Sequence, residues 1–131
     1  MPTEIVRTKA EAVLNALDCP EGELSIVLAD DTQIAELNTA YLNRTGPTNV
    51  IAFAMQEGEY ADIEPNLLGD VVISLDTCEM EATDAGLQFE ERFDQLLVHG
   101  ILHLFGYDHI HSEQQAAEMK RKSNELTKLI S

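Results

Sequence analysis

Apolar side chains at Val6, Ala10, Val13, Leu14 and Leu17 recur at helical spacing, which predicts an amphipathic helix over 4–17 closed by Asp18-Cys19-Pro20. The apolar run 24–29 predicts a buried strand. Asp30 followed by Gln33 has the form of a capping box, and Ile34, Leu37, Tyr41 and Leu42 give the helix after it a core stripe. Past Pro47, the segment 48–54 predicts a second strand, and the acidic stretch 56–66, with Gly58 and Pro65, predicts a loop. Gly69-Asp70 leads into a third strand over 71–75. Asp76 with Glu79 predicts the cap of a short helix that stops near Gly86. The segment 90–105 predicts a helix whose second half is almost unbroken in its apolarity, and therefore a central one. Ser112 with Gln115 caps a last helix that runs nearly to the C-terminus. Helices and strands mix without strict alternation, so the expected fold class is α+β: a small mixed sheet packed with helices.

No repeat, low-complexity tract or linker divides the 131 residues, so one domain over 1–131 is expected. No apolar run is long enough to span a bilayer, and the N-terminus lacks the basic and apolar regions of a secretory signal. Cys19 and Cys78 are far apart in sequence and read as reduced thiols of a cytoplasmic protein. The net charge is −16, from 24 acids against 8 bases. Between Thr45 and Glu91 there is no Lys or Arg, whereas Lys120, Arg121, Lys122 and Lys128 gather near the end. Phosphate neutralisation supplies most of the affinity of proteins that coat nucleic acid, so this composition excludes a general nucleic-acid coater. Any contact with RNA has to come from a local patch, a metal or a partner.

The chemistry is concentrated in V-H-G-I-L-H-L-F-G-Y-D-H-I, residues 98–110, which holds His99, His103 and His109. On a helix, residues 99 and 103 are about 400° apart, so the two side chains point within about 40° of each other, one turn apart. Were the helix to continue, residue 109 would lie roughly 15 Å along the axis from residue 99, too far to share an ion at Zn–N distances of about 2.0–2.1 Å. Gly106 supplies the stop, since glycine takes the left-handed conformation that ends helices. Two ligands, a chain reversal and a third ligand form the pattern of a three-histidine zinc site with an open fourth position, which is the catalytic kind. Zinc lowers the pKa of a bound water to about 7. His111, beside the Ser112 cap, reads as a surface residue. The spacing H-x3-H-x5-H also matches a metalloprotease pattern, but there a glutamate follows the first histidine as general base. Here that position is Gly100. Asp108 stands beside the third ligand, where a carboxylate accepts a proton or orients an imidazole.

Residues 99–109, H-G-I-L-H-L-F-G-Y-D-H, resemble the signature H-G-x-L-H-L-x-G-Y-D-H of the bacterial YbeY family. P-T-N-V at 47–50, Phe53, and L-G-D at 68–70 add to the likeness, which covers roughly residues 24–130. The resemblance implies a zinc-dependent endoribonuclease of ribosomal RNA maturation and ribosome quality control. Its one Zn2+ would sit on His99, His103 and His109, and its partners would be ribosomal RNA and the small ribosomal subunit or its proteins, with no membrane or DNA partner. Two departures stand out. The family places an arginine directly after the tyrosine that ends the second helix, where this chain has Leu42, so the phosphate-holding role falls to Arg44. The helix expected over 4–17 also stands where the family commonly has an N-terminal strand, so that strand is not expected in these residues. The expectation is thus a hydrolase in which zinc-bound water attacks an RNA phosphodiester, with Arg44 and Asp108 as candidate catalytic residues. The alternatives are a non-catalytic, zinc-containing ribosome-assembly factor and, disfavoured by Gly100, a zinc peptidase.

Overall fold

The computed structural model describes residues 2–55, 66–107 and 112–131. In chain order the elements are α1 (Thr3–Ala16), β1 (Glu23–Ala29), α2 (Asp31–Leu42), β2 (Val50–Ala54), β3 (Leu67–Ser74), α3 (Leu75–Ala85), α4 (Phe89–Leu104) and α5 (Glu113–Ile130). The three strands form one mixed sheet in the order β1-β3-β2, with β1 parallel and β2 antiparallel to β3. The architecture is the α+β arrangement expected from the sequence. The expected loop at 56–66 lies outside the described residues except for Asn66.

Alternation along the strands separates two cores. Val71 and Ile73 of β3, Val50 and Ala52 of β2, and Leu24, Ile26 and Leu28 of β1 face α1, α4 and α5. Ala29, Ile51 and Val72 face the other way, against Ile34 of α2. The central helix α4 buries Phe93, Leu97, Ile101 and Leu102 completely. On its α1 side, Lys9 Nζ meets the buried carboxylate of Asp94 at 2.7 Å. Burial is what pushes the Asp94 pKa up, and the Lys9 hydrogen bond and charge oppose that rise.

Three boundaries depart from the sequence expectation. β3 starts at Leu67, not at residue 71. As the central strand it is paired on both sides, so Gly69 and Asp70 are held in the ladder against Ala54 and Phe53 of β2 and Leu24 and Ser25 of β1. Gly69 has φ +139°, and a Cβ there would run into the Phe53 carbonyl, so only glycine fits this strand crossing. β2 starts at Val50, two residues late. The side chain of Asn49 instead accepts the Val50 N–H, and its carbonyl accepts the Ser74 N–H. The cap of α3 is Ser74, whose hydroxyl accepts the Thr77 N–H, and Asp76 lies inside the first turn. Asp30 and Gln33 do form the reciprocal capping box of α2.

Asp31 binds α2 to α3 by accepting from the Ser74 hydroxyl at 2.6 Å and the Thr77 hydroxyl at 2.5 Å. These two hydrogen bonds hold its carboxyl below the usual aspartate value, and burial opposes them only slightly. A carboxyl lowered on folding stabilises the native state above its unfolded pKa, and that contribution is lost as pH falls through the folded value. Thermal melting between pH 7 and pH 2.5 therefore steepens at the acid end in the wild type, and Asp31→Asn flattens that segment. Equal acid dependence in the two proteins would show that the carboxylate holds nothing.

Candidate metal centre and its adjoining groove

Helix α4 presents one open stripe. Arg92, Gln95, His99 and His103 recur at intervals of three and four, so all four project from nearly one face. The opposite faces carry the buried Phe93, Leu97 and Ile101. The helix geometry expected for the first two histidines is present: their ring centroids are 4.3 Å apart and their planes tilted by 53°. His99 is exposed, but the side of its ring turned to the protein loses water, and this lowers its pKa below the ordinary histidine value, with the nearby His103 and Arg92 acting in the same direction. His99 therefore stays neutral to lower pH than a free imidazole, which is the form that binds metal.

The helix ends where the glycine requires. Phe105 is the C-cap and Gly106 takes φ +86°. The Gly106 N–H bonds to the His103 carbonyl at 3.0 Å, and the Tyr107 N–H to the Leu102 carbonyl at 3.1 Å. This pair of bonds is a Schellman motif, which reverses the chain directly after the second histidine. Asp108, His109 and His111 lie outside the described residues. Within the described residues, two imidazoles on one face followed by a chain reversal suit a nitrogen-bound ion.

Gly100 has its own reason to be glycine. A Cβ at this position would stand 2.6 Å from one Val71 methyl and 3.2 Å from a Val50 methyl. Helix α4 therefore lies directly on β2 and β3 at the residue beside His99. A glutamate at 100 would be driven into the sheet, away from the histidine face, so the peptidase base has no place here.

Beside His99 opens a cavity of about 720 Å3 between α4 and α5, bordered by Asn49. Asn49 is the asparagine of the P-T-N-V segment, and its Nδ2 donates to Glu81. Arg92 donates from Nε and Nη2 to the same Glu81 oxygen at 3.0 and 2.9 Å, and from Nη1 to Gln95. Arg92, Gln95 and Asn124 of this cavity were not singled out in the sequence, and Lys128 stands there only as one of the bases near the end. The signal for Arg92 is its place two turns before His99; the α5 residues are brought in only by packing. Arg44 follows Asn43, the left-handed cap of α2, and is exposed. Its N–H and carbonyl are held by Asn38 and Thr39, and it is not among the residues lining this cavity.

The model of the family described as Endoribonuclease YbeY matches residues 2–131. A protein named Endoribonuclease YbeY from Syntrophotalea carbinolica is 48% identical over 124 residues, covering 94% of this chain and 83% of that protein. Another of the same name from Geobacter sulfurreducens is 46% identical over 129 residues, covering 98% of this chain and 86% of its own length. The solution structure of TM1509 from Thermotoga maritima superposes with a TM-score of 0.71 at 26% identity, over 97% of this chain and 79% of that one.

Proposed function

The chain belongs to the YbeY endoribonuclease family, and from that membership we propose that it is a zinc-dependent endoribonuclease of ribosomal RNA processing and ribosome quality control. The observation that carries the metal-dependent part is the pair His99 and His103, one turn apart on the open face of α4 and followed by the Gly106 reversal. His99, His103 and His109 would hold one Zn2+. That ion, when bound, supplies an acidified water and positive charge at a phosphoryl oxygen.

The chain's own residues have separate tasks. Packing of Gly100 against Val71 fixes the height of both imidazoles above the sheet. Partial desolvation lowers the His99 pKa, which favours the neutral form that a metal binds. Arg44 would hold a phosphate from the segment between α2 and β2, and Asp108 would orient an imidazole or accept a proton. The partners proposed are ribosomal RNA and the small ribosomal subunit, with the cytoplasm as the place of action. Among the described residues no helix is long and apolar enough to cross a membrane.

The experiment is incubation of ribosomal RNA with zinc-loaded protein, with protein stripped by EDTA, and with stripped protein given zinc again. Cleavage is expected in the first, lost in the second and restored in the third. RNA left intact by zinc-loaded protein overturns the enzyme reading. In that case the net charge of −16 and Leu42 at the family's arginine position favour a non-catalytic assembly factor.

A further inference from the structure

The α4–α5 cavity contains carboxylates as well as cations, and pairing decides which charge is free to meet a ligand. Arg92 is matched by Glu81, and Asp94 by Lys9. Glu91, in the first turn of α4, accepts the Gln88 N–H and has no cationic partner among the described residues. Lys128 is exposed and makes no ion pair among the described residues. One turn before it, on the same face of α5, stands Asn124, an exposed amide with no side-chain hydrogen bond among the described residues. Across the cavity, Gln95 spends its carbonyl oxygen on Arg92. The wall beside His99 thus offers amide groups and one unmatched ammonium, while the unmatched Glu91 carboxylate stands two turns of α4 away from His99, in a volume within the range of small-ligand sites. For a chain of net charge −16, such a spot is where a polyanion can approach the histidines.

We infer that this groove seats the ribonucleotide flanking the scissile phosphate, with Lys128 meeting the backbone phosphate of that nucleotide and Asn124 hydrogen-bonding its base or ribose. The inference rests on the proposed endoribonuclease activity and adds to it two substrate-positioning residues on α5. An ammonium on a flexible stem suits a phosphate as a point charge, and an amide both donates and accepts, as base edges and the 2′-hydroxyl require. Neither residue lies on the histidine helix, so both act on substrate binding and leave the chemical step to α4.

The test uses zinc-loaded wild type, Asn124→Ala and Lys128→Gln on a short fluorescent single-stranded RNA, over a range of salt concentrations. Both side chains are exposed, so thermal melting should be unchanged. Asn124→Ala is expected to raise KM about three- to tenfold with kcat within about twofold, as the loss of one hydrogen bond implies. Lys128→Gln is expected to raise KM and to reduce the slope of log kcat/KM against log salt by about 0.7, the value for one lost contact to single-stranded nucleic acid. Wild-type KM and salt slope in both variants, with the wild type cleaving, overturn the groove inference alone. A wild type that cleaves no RNA overturns the proposed activity and the inference together.

Discussion

Replacing His103 with alanine is expected to lower zinc from one ion per chain to a small fraction after dialysis, and to cut RNA cleavage at least about 100-fold. Loss of a group that only orients a ligand already costs 10–100-fold in affinity or activity, so loss of a ligand itself should cost no less. The imidazole is half-buried, it stacks at an angle beside His99, and no hydrogen bond of its ring is seen among the described residues. Fold stability of the metal-free protein should therefore change little, by about 0.5 kcal/mol as for a surface site. Metal analysis, a cleavage assay and a melt on the same preparation read the three quantities. One zinc per chain retained by His103→Ala would remove His103 from the ligand set, whatever the cleavage assay showed. His99→Ala should behave alike.

Gly100→Ala is the second change with a large expected effect, and its sign runs against helix propensity. In an open helix the substitution stabilises by about 1 kcal/mol. Here the new methyl meets Val71 and Val50, and overpacking of this kind costs about 1–3 kcal/mol before any relaxation. Urea unfolding should show a net loss of stability, and cleavage should fall with it because any retreat of α4 from the sheet carries both histidines along. Gly100→Glu, which would supply the peptidase base, should fail to fold or should fold with α4 displaced. A gain in stability for Gly100→Ala would mean that the helix can lift off the sheet freely, and that packing at this point does not fix the imidazoles.

Local signals were legible wherever the physics is local. The Asp30–Gln33 box, the Ser112–Gln115 cap, the central apolar helix and the glycine reversal at 106 depend on a few consecutive residues, and each stands in the structure. The strand ends did not follow. Whether Gly69 and Asp70 belong to a strand depends on partners on both sides, and those partners are more than ten residues away in sequence. The cap of α3 was misread for a related reason. Ser74 and Asp76 both have suitable side chains, and the place where β3 stops pairing chooses between them.

By itself the sequence determined that two imidazoles share a helix face and that a glycine turns the chain just after them, because 3.6 residues per turn and the left-handed cap act within one segment. It also determined the family, through a motif whose spacing carries that geometry. Only the tertiary structure decided why the residue after His99 is glycine, because the reason is a valine on another element. Only packing set α5 beside the histidine stripe and left Lys128 without the counter-charge that Arg92 and Asp94 each have. Charge pairing depends on distances in space, and a linear count of acids and bases contains none.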